Sequence, residues 1–325
     1  MDGFEIVAMA TGPRHHVEIF QDYYERLGAD RVRVFYDGAV DLVRGCDPAV
    51  VIGCDRAFWR GVAGQRPAVV EDRQRAVYHH AYATASSDWV VFVDIDEFVF
   101  GKPSMAEVLT RAGREVDSIR FESAEAVYSQ AATGRVEYGA AYFRRPCSRA
   151  MSVVLPHLLY PGVGHLFIRG LLGHSRGKHA VRAGLDGVSV GLHDSRRHDV
   201  PMTEVNASTL PAGERLLLAH YDAISLEQWC EKWQRRLACD DTKEMGRKRE
   251  WQMALFRKHH MRDREEQLFR RLYFVGDWQL RFLRLLGLVI EEGPDIRARL
   301  DDSRDRAAHE PGLARRGQAV GGRRV

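Results

Sequence analysis

The sequence predicts an α/β fold with a mostly parallel central sheet, helices on both of its faces and a C-terminal helical extension. Three observations predict it. Short apolar runs alternate with helical segments over the first hundred residues, an order typical of parallel strands joined by covering helices. The run at 89–93 is apolar throughout, as expected of a strand buried on both faces. Helical periodicity then takes over from 225 to about 288, which favours an added helical region.

The first hundred residues carry the elements of the parallel sheet. The apolar run at 4–10 stops at the turn signal Thr11-Gly12-Pro13, and the helical spacing at 17–27 stops at Gly28, a typical residue after a helix end. Residues 31–36 alternate and end at Asp37-Gly38. In chain order the predicted elements are a strand at 4–10, a helix at 17–27, strands at 31–36 and 50–52, a helix at 73–86 and a strand at 89–93.

The rest of the chain divides into three parts. A helix is predicted at 104–112 and a strand at 118–121, whereas 130–215 is rich in Gly, His and Arg and indicates short strands and loops. We place the boundaries of the main domain at 1–222, with halves at about 1–100 and 101–222, and those of the helical region at 223–293. Residues 294–325 are rich in charge and poor in apolar side chains, which predicts a disordered tail.

The composition is that of a globular chain. Its 325 residues are 45% hydrophobic, enough for a sizeable core. Lys and Arg number 48 and Asp and Glu 45, a balance too mild for a nucleic-acid partner. No run of 18 apolar residues and no leader-like start is seen, so we expect a cytoplasmic protein. The five cysteines contain no Cys-x-x-Cys pair, which argues against a zinc site and a disulfide framework.

Three carboxylates follow the most apolar strand directly. They are Asp94, Asp96 and Glu97, after the run at 89–93. Residues two apart share a side of an extended chain, and two carboxylates so close repel unless a cation lies between them. A divalent ion with oxygen ligands would meet that need. The alternative interpretation is an acidic cap that only begins a turn.

Another acid, Asp37, follows the strand at 31–36. The ends of neighbouring strands converge on one crevice in a doubly wound sheet, where an acid accepts hydrogen bonds from a base or a ribose. The alternative is a plain Asp-Gly turn with Gly38.

The ordered motifs resemble the family-2-like glycosyltransferases of the GT-A fold, in the subgroup with a Trp-…-Asp-x-Asp-Glu-Phe signature. The matching segments run from about 4 to 240. They are the first strand ending at Thr11, Leu27 to Val32, Tyr36-Asp37 with Asp41, Trp89 to Phe98, Gly173 to Arg182 followed by His193, and His220 to Lys232.

The resemblance implies a Rossmann-like GT-A fold whose first half binds a nucleotide-sugar donor and whose second half binds a glycan or lipid-linked acceptor. It also implies a Mn²⁺ or Mg²⁺ ion that bridges the donor phosphates, inversion at the anomeric carbon, and a place in cell-surface polysaccharide synthesis. The donor sugar, the linkage and the oligomeric state stay open. One departure concerns the donor: Gly12-Pro13-Arg14 stands where the family usually has Arg-Asn-Glu or Lys-Asn-Glu.

The same resemblance suggests residue roles. Asp96 would be the main metal ligand and a catalytic residue, with Asp94 between ribose and metal. Thr11 and Asp37 would bind the donor. His220 would complete the metal site, the alternative being a histidine that only precedes a helix.

Basic and acidic residues of the second half are further candidates. Lys178 and Arg182 would hold diphosphate oxygens or an acidic acceptor, the alternative being surface charges. Glu125 is our preferred general base for an inverting transfer, ahead of Glu122 and Asp194.

Two rival functions come from other classes. A haloacid-dehalogenase-like phosphohydrolase also places Asp-x-Asp after an apolar strand, although normally after its first strand. A noncatalytic sugar-binding module would keep the fold without turnover.

The segments 268–274 and 278–286 alternate apolar and basic residues at helical spacing. They fit either a helix packed with its Arg side chains outward or peripheral contact with an anionic membrane at its inner face.

Overall fold

The computed structural model describes residues 2–130, 137–140, 142–210, 215–238 and 246–296. Within these ranges, strands and helices alternate in the first part and helices gather in the last. The strands are β1 (Phe4–Ala10), β2 (Arg31–Tyr36), β3 (Val51–Gly53), β4 (Trp89–Phe92), β5 (Glu97–Gly101), β6 (Ser118–Ser129), β7 (Tyr142–Arg144), β8 (Lys178–Arg182), β9 (Val188–Val190), β10 (Ser195–Arg197), β11 (Val200–Pro201), β12 (Glu204–Asn206), β13 (Leu216–His220), β14 (Phe274–Val275) and β15 (Val289–Ile290). The helices are α1 (Arg14–Arg26), α2 (Arg56–Ala63), α3 (Val70–Ala83), α4 (Met105–Arg111), α5 (Leu155–Leu159), α6 (Leu226–Ala238), α7 (Arg247–His260), α8 (Glu265–Tyr273) and α9 (Asp277–Leu285).

The main sheet has a parallel half and a mixed half. β1 pairs in parallel with β2 and β4, and β3 extends the parallel order beyond β2. β8 then runs antiparallel to both β4 and β6 and so joins the two halves. In the second half β13 pairs in parallel with β6 and antiparallel with β5. The predicted α/β class with a largely parallel sheet is therefore confirmed, and the antiparallel β8 is an addition to it.

The core lies on both faces of this sheet, as the apolar runs predict. Ile6 of β1 packs in one cluster with Phe20 of α1, whereas its neighbour Val7 packs in another with Val77 and Tyr78 of α3. Successive strand residues point to opposite faces, so a strand with apolar residues on both faces needs cover on both. β4 meets the same demand, since Trp89 through Phe92 are all buried.

Most predicted elements of the first part are found within a few residues of their predicted bounds. Two elements, α2 and β5, come from segments where the sequence indicated none. α2 begins after Asp55, whose side chain accepts a hydrogen bond from the backbone N–H of Phe58 at 2.8 Å, an N-cap contact that a lone Asp signals only weakly. The predicted short strand at 118–121 continues to Ser129 as β6.

The C-terminal helices pack against the sheet. Leu268 and Leu272 of α8 and Leu280 and Leu283 of α9 are buried, and β14 and β15 return to pair with β6 and β7. The inner faces of α8 and α9 therefore agree with the interpretation of 268–274 and 278–286 as helices packed on the domain. The predicted disordered tail lies outside the described residues from position 297 onward.

Within the described ranges, no helix combines the length and the apolarity that crossing a bilayer requires.

Candidate active site

A cavity of about 1110 Å³ opens at the carboxyl ends of β1 and β4. Residues 9–13, at the end of β1, and Asp94 to Glu97, after β4, form part of its lining. Opposite them stand α6 and the first turn of α7, with 246–249 in the lining. Ligand clefts of open α/β sheets lie beyond the carboxyl ends of the strands. The fold therefore brings the acidic motif to the place where the strand pattern predicts a site.

Asp94 to Glu97 form a turn between β4 and β5. The backbone N–H of Glu97 donates to the carbonyl oxygen of Asp94 at 3.0 Å, and the Glu97 carboxylate accepts from the Asp94 N–H at 2.7 Å. We expected Asp94 and Asp96 to share one side of an extended chain. The turn instead sends the two carboxylates to different partners.

Asp94 is paired with a buried lysine. The Lys178 ammonium lies 2.9 Å from Asp94 Oδ2, and the Gln74 side-chain amide donates to Asp94 Oδ1. Burial alone would raise the pKa of Asp94, but the Lys178 charge lowers it to about 2. Asp94 is therefore an anion whose charge is largely balanced within the protein.

Lys178 owes this position to strand register. β8 is antiparallel to β4 with Phe92 opposite His179, so Lys178 emerges beside the carboxyl end of β4. Its side chain is only 1% exposed and also lies 3.9 Å from Glu97 Oε2. Burial raises the pKa of Glu97 to about 7. We call Asp94, Glu97 and Lys178 the floor cluster.

Asp96 has looser partners. Its Oδ2 lies 3.8 Å from His220 Nε2 and 3.5 Å from the Lys232 ammonium. His220 is brought there because it ends β13, where it pairs opposite Glu97 of β5. Lys232 comes from α6 and also donates to Asp222 Oδ1 at 3.0 Å.

Asp96 and His220 fit a divalent ion as two protein ligands. An Asp oxygen and an imidazole nitrogen 3.8 Å apart can both reach one ion at ordinary bond lengths of about 2.0–2.2 Å. Within the described ranges no group of three or more His, Cys, Asp or Glu side chains could hold a metal. The remaining ligands would come from substrate oxygens and water. Burial lowers the pKa of His220, but Asp96 and Glu97 raise it above its ordinary value, so metal would compete with a proton there.

Glu125 lies beneath the cavity and not in its lining. Its carboxylate accepts from Arg144 Nε at 2.9 Å and from the backbone N–H groups of Leu172 and Gly173 at 2.9 and 2.6 Å. Both Glu125 and Arg144 are about 1% exposed. These contacts hold the backbone at 172–173, which lies beside His220. The role of Glu125 as general base stays a prediction.

The other general-base candidates also lie outside the lining. Glu122 pairs with Arg145 at 2.9 Å, and Asp194 pairs with Arg120 at 2.9 Å.

The remaining predicted residues divide into one that lines the cavity and two that do not. Thr11 lines it, and its hydroxyl accepts from Arg235 at 3.0 Å. Asp37 lies outside the lining, bound by Arg66 at 2.8 Å and Arg73 at 3.1 Å, so arginines occupy the expected nucleoside contact.

Arg182 lies at the other end of β4, opposite Trp89. Arg182 lies four positions along β8 from Lys178, a distance of about 13 Å at ~3.3 Å per residue. Its guanidinium lies over the Trp89 ring at 4.3 Å and donates to the Gly113 carbonyl at 2.9 Å. The expected substrate contact is thus replaced by a structural one.

Several residues of the lining had no signal of their own in the sequence. Gln74 of α3 and the basic side chains at 235, 236, 247, 248 and 249 are examples. The stacked rings of His174 and His193, 3.9 Å apart, also line the cavity, and both belong to the motif that begins at Gly173. Lys232 lies within the motif that begins at His220, and that motif could have indicated it.

The chain matches no protein-family model and no curated protein. Among solved structures it is similar to glucosyl-3-phosphoglycerate synthase from Mycobacterium tuberculosis. The complex of that enzyme with Mn²⁺, UDP-glucose and phosphoglyceric acid matches at 15% identity and a TM-score of 0.30, over 56% of this chain and 57% of that chain. Its complex with Mg²⁺ and UDP matches at 16% identity and a TM-score of 0.27, over 56% of each chain. This chain thus spans little more than half the length of those structures.

Proposed function

We propose that this chain is a metal-dependent glycosyltransferase that moves a sugar, a hexose in the simplest case, from a nucleotide-sugar donor to an acceptor hydroxyl with inversion. The observation that carries the proposal is the pair of Asp96 and His220, 3.8 Å apart at the carboxyl end of β4 in a large cavity. A glycan or lipid-linked acceptor of cell-surface polysaccharide synthesis fits the family resemblance.

In this scheme the divalent ion would be held by Asp96 and His220 and would stabilise the negative charge of the departing diphosphate. Lys232, 3.5 Å from Asp96, adds a positive charge beside the same leaving group. Asp94 stays ionised because Lys178 pairs with it, and its free lone pairs can accept a ribose hydroxyl. Thr11 is a second donor contact.

The rival phosphohydrolase needs the first aspartate of the motif as a free nucleophile. Here the Lys178 ammonium, 2.9 Å from Asp94, lowers the pKa of that carboxyl to about 2, and a carboxylate so stabilised is a weak nucleophile. A noncatalytic sugar-binding module differs from the enzyme only in turnover.

The test is binding followed by turnover on the full chain. A panel of nucleotide sugars is screened for thermal stabilisation with and without Mn²⁺, since a ligand that binds the native state raises its melting temperature. Release of nucleoside diphosphate is then measured for the best donor. Asp96→Asn and His220→Ala should each lower turnover at least 100-fold, whereas Asp41→Asn, at a side chain 82% exposed, should leave it unchanged.

Stabilisation by a nucleotide sugar with no turnover towards any acceptor or water would favour the binding module. Release of phosphate from a generic phosphoester, with no effect of nucleotide sugars, would favour the phosphohydrolase. Stabilisation and turnover that do not depend on Mn²⁺ or Mg²⁺ would contradict the metal site.

We also propose peripheral membrane contact through the outer face of α9. Trp278 and Leu285 lie two turns apart on that helix and are 54% and 80% exposed, with Arg281 exposed between them. Apolar and basic side chains on one exposed helix face are suited to an anionic bilayer surface, and a lipid-linked acceptor would require such contact.

A further inference from the structure

A second group of cations lines the cavity on the side of α6 and α7. Arg236 of α6 and Arg249 of α7 both belong to the lining, and their guanidinium carbons lie 5.0 and 5.6 Å from the centre of the Trp233 ring. Two guanidinium groups over one buried ring repel each other. We call this pair the arginine clamp.

Arg236 has a hydrogen-bond donor without an acceptor. Its Nη1 atom is buried, and the described residues offer it no hydrogen-bond partner. Burial and then the charge of Arg249 lower the pKa of Arg236 to about 10, so the group still carries its charge near pH 7. Buried charges in proteins are normally paired and hydrogen-bonded. An anion is the partner that this atom lacks.

Among the described residues, which exclude 239–245, the negative charge that faces the clamp is already paired. Asp222 faces the clamp, but its carboxylate already accepts from Lys232 at 3.0 Å and from the Tyr273 hydroxyl. Arg249 donates to the neutral amide oxygen of Gln252 at 2.9 Å. Within the described part of the chain, Lys232 and the clamp thus present three cations to the carboxylates of Asp96 and Asp222. Metal binding at Asp96 would increase the excess.

The neighbours of the clamp come from the second half of the chain. Burial is the main reason that the pKa of His174 is lowered, and the charges of Arg176, Lys178 and Arg249 lower it further, so Arg249 lies near His174. Asp222 follows β13. Thr11, directly after β1 at the end of the sheet where a doubly wound fold binds its nucleotide, accepts a hydrogen bond from Arg235, not from Arg236. Because Asp222 and His174 belong to the half of the chain expected to bind the acceptor, we assign the clamp to the acceptor side of Asp96.

We infer that the acceptor carries an acidic group, a phosphate or a carboxylate, that binds between Arg236 and Arg249. Guanidinium groups recognise both anions through paired hydrogen bonds. The inference rests on the proposed function, because it names the class of acceptor for the same cavity. It narrows the predicted glycan or lipid-linked acceptor to an anionic one.

The experiment first measures anion binding without turnover. Inorganic phosphate and, separately, acetate are titrated into the wild-type chain by calorimetry at low ionic strength. Arg236→Gln and Arg249→Gln should each weaken binding of the preferred anion at least tenfold. Arg257→Gln, an exposed arginine of the same helix as Arg249, is the matched control and should bind as the wild type does. Equal binding by all four chains, or none by the wild type, would overturn the inference.

A second arm separates acceptor from donor. Nucleoside diphosphate with Mn²⁺ is titrated into the same variants, and its affinity should change less than twofold. A tenfold loss for diphosphate would assign the clamp to the donor and overturn the acceptor assignment. If no nucleotide binds any chain while phosphate still distinguishes the variants, the proposed function fails and the anion site stands.

The last arm uses turnover with paired acceptors, the same alcohol with and without a phosphate or carboxylate group. Arg249→Gln should raise the KM for the charged acceptor at least tenfold and leave the KM for the neutral one unchanged. Preference of the wild type for the neutral acceptor would contradict the inference.

Discussion

The charges of the floor cluster are paired within the protein, whereas those on the opposite side of the cavity are only partly paired within the described part of the chain. We call that side, formed by Lys232, Arg236 and Arg249 of α6 and α7, the wall. In the floor cluster, Lys178 is 1% exposed and lies between two acids, at 2.9 Å from Asp94 and 3.9 Å from Glu97. In the wall, Lys232 is 25% exposed and lies 3.5 Å from Asp96, and Arg236 has a buried donor for which the described residues supply no acceptor. The floor is complete within the protein, whereas the wall has capacity left for a ligand. Stability should therefore depend on the floor and binding on the wall.

Removal of Lys178 should have a much larger effect on stability than removal of Lys232. Lys178→Met leaves Asp94 and Glu97 in the floor without their cation, and breaking a buried pair from one side costs about 3–5 kcal/mol. Lys232→Met, at the more exposed wall lysine, should cost no more than about 2 kcal/mol. Urea unfolding at pH 7 gives both values. Equal losses would remove the distinction between floor and wall.

Glu125→Gln separates a positioning residue from a general base. The substitution leaves the buried Arg144 without its anion, so we expect a loss of about 3–5 kcal/mol in the free energy of unfolding. The variant that remains folded should keep the pH dependence of turnover, because the carboxylate accepts from Leu172 and Gly173 and does not face the cavity. Full stability together with abolished turnover would restore Glu125 as the base.

The sequence could predict what depends on one segment. The apolar run of β4 placed Asp94 and Asp96 at a strand end, and the cavity lies there. Which partner each acid takes depends on strand register between distant segments, and one strand carries both outcomes: Lys178 reaches Asp94, but Arg182, at the other end of β8, reaches Gly113. Alternation along a single strand contains no information on where its partner begins.

The sequence could not predict that Arg236 and Arg249 lie together in the wall, for a related reason. Arg236 and Arg249 belong to different helices and meet only because both pack on Trp233. Each is an ordinary arginine of an amphipathic helix in the sequence. Glu125 is the converse case. The sequence singles it out as a candidate, but its carboxylate is paired with Arg144 of the neighbouring strand β7.

Acid should destabilise the protein through its buried histidines. His179 follows Lys178, is buried, and donates or accepts one hydrogen bond, with Ser195 at 2.7 Å. Burial lowers its pKa to about 3, so the unfolded chain binds a proton first. Its contribution to stability is full above about pH 6.5 and is lost as the pH falls toward 3, by up to ~1.4 kcal/mol per pH unit.

Urea unfolding between pH 7 and pH 4.5 measures this slope. His16, whose pKa burial also lowers to about 3, adds a second proton to the wild-type value. His179→Gln should reduce the slope by one proton, whereas His157→Gln, at an exposed histidine, should not change it. A slope that His179→Gln leaves intact would show that His179 is protonated or exposed in the native state.

The smallest expected effect is on membrane binding by the outer face of α9. This face exposes apolar side chains, whereas the cavity wall carries charged ones. Trp278 and Leu285 expose apolar area that the packed face of the same helix, with Leu280 and Leu283, has buried. Each exposed side chain is worth about 1 kcal/mol when it enters a bilayer interface, and each nearby arginine about 1 kcal/mol on an anionic one. The wild type should therefore co-sediment with vesicles rich in anionic lipid and release as salt rises. Trp278→Ser with Leu285→Ser should lower the bound fraction several-fold, while Val205→Ser, 37% exposed on β12, should not. Equal sedimentation of all three chains would show that the outer face of α9 does not bind the membrane. The acceptor would then be one that the cavity wall can bind without a bilayer.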